Sequence, residues 1–148
     1  MKVNLPPPLP SEAPKAPWRP KVSGVIAFFF GPLAGAMVVA SSLRRMAYPE
    51  RAKKVILLAL GMALVEGVVL FFVPDAFARV VALGAEVAFL LFFPVLMEKE
   101  FKEWQATHSD SPSSGWRAIG LGLIGMILLV IVLFLTSMAL YALFPLHD

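Results

Sequence analysis

Two glutamates, Glu66 and Glu86, each lie alone in an otherwise apolar stretch of sequence, and a short Pro74-Asp75 connection joins the two stretches. Counted from that connection at about 1.5 Å per residue, the acids lie about 12 and 16 Å deep. An acid inside a bilayer is costly, and it usually marks a contact with a proton, an ion or a partner. The pair therefore predicts either a proton- or cation-responsive site or a hydrogen-bonded contact between helices.

Small residues accompany both acids, with Ala63 and Gly67 beside Glu66 and Gly84 beside Glu86. Small side chains let membrane helices approach closely. We therefore expect the two stretches to pack as an antiparallel pair through the faces that carry the acids. The alternative is that each acid faces a different neighbour or a partner chain.

The elements that hold these acids follow from the apolar content of the chain, which has 148 residues and is 59% hydrophobic. A soluble domain of this size could not bury so much apolar surface. Continuous runs near 20 residues predict helices and exclude the alternating strands of a barrel. The fold class is therefore all-α, a polytopic membrane bundle forming one domain over residues 22–148, with four membrane segments at about 22–43, 55–73, 77–97 and 117–143.

The first segment carries a helix breaker and two glycines near its middle, Gly31, Pro32 and Gly35. The segment can cross the bilayer with a kink, or it can enter and return on one side as a re-entrant hairpin. The hairpin places nearly all cations on one side of the membrane, whereas the crossing divides them more evenly between the two sides. We nevertheless favour the kinked crossing slightly, because opened backbone in the bilayer must be covered by protein and a small chain offers little cover.

Residues 1–21 are rich in proline, which blocks helices and strands, and we expect a disordered or polyproline-II arm with no cleavable export signal. Residues 98–116 are expected to continue the third segment as a helix, with Glu98 and Lys102 paired at i and i+4, and then to form a loop. The three tryptophans, Trp18, Trp104 and Trp116, are expected to anchor the chain at the membrane surface.

Five cations cluster in residues 44–54, and they are Arg44, Arg45, Arg51, Lys53 and Lys54. The positive-inside rule places this loop and residues 98–116 in the cytoplasm. The same cluster could also bind anionic lipid headgroups. Both interpretations remain open because they are compatible with each other.

The run from Phe29 to Ala36, which leads into Leu43-Arg44-Arg45, resembles the first segment of a group of small, uncharacterised bacterial multi-pass membrane proteins. The likeness covers about residues 24–54. It implies a bacterial inner (plasma) membrane, and it implies no activity and no functional residues.

The residue types in the chain argue against a soluble enzyme. The chain has no cysteine and no zinc-ligand pattern, and we expect no catalytic residue, metal or cofactor. Gly120, Gly122 and Gly125 match a dinucleotide-binding pattern, but the strand that this chemistry needs is missing, so we interpret them as helix-packing positions. The net charge of +3 comes from cations that set topology, and it does not imply nucleic-acid binding.

We favour a non-enzymatic membrane protein that serves as an accessory or assembly partner and acts by helix packing. Its partners could be further copies of the chain, in a homo-oligomer, or a larger membrane complex. The alternative is a transporter-like or proton- or cation-coupled membrane component that uses Glu66 and Glu86.

Overall fold

The computed structural model describes residues 16–144, and this part of the chain is helical with no strand. It contains five helices: α1 (Pro20–Phe30), α2 (Pro32–Arg45), α3 (Pro49–Phe72), α4 (Asp75–Thr107) and α5 (Trp116–Leu143). Three of them, α3, α4 and α5, are long and apolar enough to cross a membrane. The all-α prediction is thereby confirmed, and so is the prediction of long apolar membrane helices.

The first apolar segment forms a helical hairpin and not a kinked helix. Gly31 separates α1 from α2 with φ 85°, a value that favours glycine, and Pro32 begins α2 at a position where its missing N–H costs nothing. The backbone N–H of Trp18 donates to Ser42 Oγ at 3.2 Å, so the start of α1 meets the end of α2. The preference for a kinked crossing is therefore wrong, since a kinked helix would hold these residues far apart.

Gly35 has a different role from the hinge predicted for it. It lies inside α2, and a Cβ at this position would meet Ala27 of α1 and Phe93 of α4. The glycine therefore permits the two limbs of the hairpin to approach closely. The turn itself is made by Gly31 and Pro32.

The hairpin packs among the three long helices. Helix α1 lies mainly against α4, and α2 lies between α3 and α5 while also touching α4. Most of α2 is buried, and the core continues through Leu43 and Met46 to Met97 and Phe101 on α4. The long helices thus cover most of α2 with protein.

Pro94 lies inside α4 at its contact with α1. A helical proline lacks an N–H, so the carbonyl of the residue four positions earlier, Leu90, loses its usual helical donor. Gly24 of α1 lies against that carbonyl and against the Pro94 ring, with no room for a Cβ. A backbone Cα–H can then approach the carbonyl oxygen, a weak hydrogen bond typical of closely packed helices.

Two of the three α5 glycines, Gly122 and Gly125, are packing positions as predicted from the sequence, and the prediction is wrong for Gly120. Gly122 lies against Ile26 and Phe30, and Gly125 lies against the backbone of Ala34, while Gly120 faces open space. Further along α5, the Thr136 hydroxyl donates back to the Val132 carbonyl at 2.8 Å, as expected for a hydroxyl in an apolar helix.

The predicted helical extension of the third membrane segment is confirmed, since α4, which contains this segment, continues to Thr107. The predicted pair between Glu98 and Lys102 is also present, with 2.8 Å between the carboxylate and Nζ. Met97 and Phe101 are buried in the core. This face of the extension therefore packs inside the protein.

The predicted N-terminal arm ends earlier than residue 21. Residues 1–15 of the arm lie outside the described residues. Pro17 and Trp18 are buried, and α1 already begins at Pro20. The boundary of the helical domain therefore lies at or before residue 16.

We call the end of the bundle that holds the start of α1, the end of α2 and the 108–115 loop the basic end. The opposite end holds the Val73-Pro74 connection.

Candidate functional site

The predicted close packing between α3 and α4 is wrong, because these two helices separate from each other. They touch little, and within residues 16–144 α4 makes no contact with α5. The small residues of α3 face α2 and α5 instead: Ala59 and Ala63 are fully buried in the core, and Gly67 lies against Leu133 and Thr136. Helix α4 is held by α1, so its first half leans away from α3.

Gly84 has no neighbour near the position that its Cβ would occupy. The expectation that Gly67 and Gly84 would bring the two acidic faces together is therefore not met.

The separation leaves an open cavity of about 650 Å³ between α3 and α4. Its wall on α3 runs from Leu57 to Leu70, about 20 Å along the helix, and its wall on α4 includes Ala82, Ala85 and Phe89. Glu66 is the one charged residue in the lining of this cavity, and the other lining residues are apolar. We call this feature the α3–α4 cavity.

Glu66 lies at the wall of the cavity with one of its carboxylate oxygens buried. Its Oε2 atom is buried and has no hydrogen-bond partner within the described residues. A buried polar atom without a partner costs free energy, so its presence calls for an explanation. The Glu66 carboxyl is therefore the main candidate for a functional contact in this cavity.

Glu86 lies close to the depth of Glu66, since Glu66 shares the cavity with Ala82 and Ala85, within one helical turn of Glu86. Glu86 is half-buried and is not part of the cavity lining. Within residues 16–144 no hydrogen bond joins the two carboxyl groups. The structure thus brings the acids to a similar depth without forming a bonded pair.

Trp18 is not a membrane anchor, and this prediction is corrected. Its side chain is 1% exposed, and its indole Nε1 donates to the Ser114 carbonyl at 3.1 Å. The guanidinium of Arg45 covers the ring at 3.9 Å from the ring centroid, a cation–π contact. The ring is buried because it joins the start of α1 to the end of α2 and to the loop before α5.

Arg45 belongs to the same contact, and part of its guanidinium is engaged within the protein. Its Nη1 donates to the Ala16 carbonyl at 2.9 Å and to Ser113 Oγ at 3.3 Å. The Ser113 backbone N–H also donates to the Pro17 carbonyl at 3.0 Å. Arg45 therefore stabilises the basic end internally, in addition to the topology role that the sequence predicts for it.

Arg51 is likewise engaged within the protein. It forms an ion pair with Glu100 of α4, whose side chain is 3% exposed. Glu100 was not singled out in the sequence, where an acid in a charged helical extension looks solvated. Near it, the Tyr48 hydroxyl donates to Glu103 at 3.1 Å, and this hydrogen bond raises the pKa of Tyr48 above its usual value. Both contacts tie α4 to the start of α3.

The other predicted surface residues remain accessible. Lys53 pairs with Glu50 at 2.8 Å on the surface, and Arg44 and Lys54 are exposed. Trp116 is 81% exposed, as expected of a membrane anchor. Trp104 is half-buried and stacks on His108, with 5.1 Å between the ring centroids.

No grouping of His, Asp or Glu that could hold a metal ion occurs in the part of the chain that the structure describes. Comparisons of the chain with family models, curated proteins and solved structures give no match.

Proposed function

We propose that the protein is a self-associating integral membrane protein, an accessory or assembly subunit that works by helix packing. The observation that carries this proposal is the buried, unpartnered Oε2 of Glu66 at the wall of the open α3–α4 cavity. The proposed occupant of the cavity is a row of side chains from α4 of a second copy.

The membrane arrangement comes first. In this proposal α3, α4 and α5 cross the bilayer, and the α1–α2 hairpin enters and leaves it at the basic end. The lengths support this, since limbs of 11 and 14 residues rise about 16 and 21 Å, too little to cross a core about 30 Å thick. Leu129 of α5 also lies against Gly31, so protein covers the opened backbone at the turn.

The distribution of cations supports a cytoplasmic basic end of a bacterial inner membrane protein. Among residues 16–144, Arg79 is the one Lys or Arg near the opposite end. The basic end holds the other ten: Arg19, Lys21, Arg44, Arg45, Arg51, Lys53, Lys54, Lys99, Lys102 and Arg117. Such an excess on one side is typical of cytoplasmic loops.

The shape of the cavity indicates what can fill it. It is an open groove about 20 Å long between two helices, and a row of side chains from one face of another helix can enter it. Large apolar side chains of α4 are available for this, because Val80, Leu83 and Val87 are exposed. Packing of such side chains into a groove is the usual basis of helix association in lipid.

The depth of the acids favours a second copy as the source of that helix. A two-fold axis parallel to the membrane normal keeps each residue of both copies at the same depth. Glu86 of one copy then lies within about one turn of the level of Glu66 of the other. A protonated Glu86 carboxyl can donate to Glu66 Oε2, so the contact satisfies the buried oxygen.

Cross-linking between two differently tagged chains tests this arrangement. The protein has no cysteine, so one chain carries Gly61→Cys in the cavity wall and the other carries Val87→Cys on α4. Gly61 and Val87 lie about 16 and 18 Å from the ends of their helices at the Val73-Pro74 connection. Mild oxidation of membranes that hold both chains is expected to give a disulfide-linked species with both tags.

Ile131→Cys on α5 is the matched control, because Ile131 and Val87 are each 48% exposed and each lies twelve residues from the far end of its helix. It is expected to give little product with Gly61→Cys. Equal products from both partners would indicate random collision and contradict the proposal. No product from Val87→Cys would also contradict it, leaving a lipid chain or another protein as the occupant.

A further inference from the structure

A second cavity, of about 460 Å³, lies at the basic end between the start of α1, the second half of α4 and the loop before α5. Its lining follows α4 from Pro94 to Gln105, a rise of about 16 Å. Pro94 and Phe101 contribute apolar surface, whereas Glu98, Lys102 and Gln105 contribute polar groups. The lining of the cavity is therefore mixed, with apolar and polar groups side by side. We call this cavity the basic-end cavity.

The charges around the basic-end cavity are mainly positive. Arg19 and Lys21 contribute from the start of α1, and Lys102 contributes from α4. Glu98 is the acid in the lining, and its carboxylate is already paired with Lys102. Within the described residues neither Arg19 nor Lys21 forms an ion pair. Two cations from one short segment thus line the cavity without an acidic partner among residues 16–144.

Two of the five cations in residues 44–54 are instead engaged within the protein. Arg45 contacts Trp18 and the 108–115 loop, and Arg51 pairs with Glu100. These two are therefore less available to a ligand than Arg19 and Lys21.

We infer that the basic-end cavity binds a phosphate ester, and that its source is an anionic phospholipid. The guanidinium of Arg19 and the ammonium of Lys21 suit the phosphate oxygens, which accept charge-assisted hydrogen bonds from both. The apolar surface of Pro94 and Phe101 accommodates the first part of an acyl chain. A free phosphate would leave that surface uncovered, so the mixed lining favours the lipid.

Titration of the full-length chain in detergent with phosphatidylglycerol tests the inference, with bound lipid counted by native mass spectrometry. The double variant Arg19→Gln/Lys21→Gln is compared with Arg44→Gln/Lys54→Gln, which removes two exposed cations of the same end outside the cavity. The first variant is expected to bind the first lipid at least about tenfold more weakly than the wild type, or about 1.4 kcal/mol. The control is expected to stay within about threefold.

All four residues are exposed, so neither double variant is expected to disturb the fold. Equal melting temperatures of the two variants and the wild type verify this. Equal weakening in the two double variants would overturn the inference, because it would show attraction to net charge alone. Equally tight binding of zwitterionic phosphatidylcholine would also overturn it.

Glycerol phosphate and inorganic phosphate distinguish the two sources of the ligand. Neither is expected to displace phosphatidylglycerol at equal concentration, because neither covers the apolar part of the cavity. Displacement by either would overturn the assignment to a lipid and indicate a soluble phosphate ester.

Discussion

Replacement of Trp18 by alanine is expected to lower the free energy of unfolding by about 3–5 kcal/mol, the usual cost of removing a fully buried tryptophan. The ring is 1% exposed, and it joins the start of α1 to the end of α2 and to the loop before α5. Its loss also leaves the Arg45 guanidinium without the ring that it covers. Far-UV circular dichroism during thermal unfolding in detergent measures the effect.

Trp116→Ala provides the control, because this tryptophan is 81% exposed and lies at the start of α5. We expect its unfolding free energy in detergent to change by less than about 1 kcal/mol. If both substitutions were equally mild, Trp18 would be a surface residue and the contact that closes the hairpin would be absent.

Gly125→Ala is expected to destabilise the bundle by about 1–3 kcal/mol or more, as overpacking of a well-filled interior does. The added Cβ would meet the backbone N and Cα of Ala34 in α2, and backbone cannot move aside as a flexible side chain can. The expected result is a lower melting temperature in detergent, with loss of the contact between α2 and α5.

Gly120→Ala on the same helix separates this effect from helix propensity. A Cβ at position 120 meets open space, so this substitution is expected to keep or raise the melting temperature. A Gly125→Ala protein as stable as the Gly120→Ala protein would mean that α2 does not lie against α5.

The features predicted correctly from the sequence depend on local information. Long apolar runs gave the three long helices, and the four-residue spacing of Glu98 and Lys102 gave their ion pair. In each case the interacting groups are neighbours in the helix, so the helical period alone decides the contact.

The features that the sequence did not reveal depend on which helices meet. Trp18 donates to a carbonyl 96 residues away, and Arg51 pairs with Glu100 across two helices. A tryptophan next to cations before an apolar run looks the same whether it faces lipid or a distant loop. The row of small residues on α3 was equally ambiguous, because such a row suits any close neighbour, and here the neighbours are α2 and α5.

The two acids show the same limit. Counting residues from the connection predicted their similar depth, since the rise per residue is fixed. It could not predict the separation of α3 from α4, which follows from the contact of Gly24 with Leu90 and Pro94. That contact draws α4 toward α1, and the α3–α4 cavity beside Glu66 is the consequence.

The hairpin is the central claim, because it decides which ends of the chain share a membrane face. Labelling of single cysteines in sealed, oriented membranes with an impermeant maleimide tests it most directly, at Lys21, Ala47, Ser111 and Ala76. All four positions are exposed. The account predicts that cysteines at 21, 47 and 111 react from one face and that the cysteine at 76 reacts from the other. Reaction of 21 and 47 from opposite faces would show that the first segment crosses, and would contradict the account.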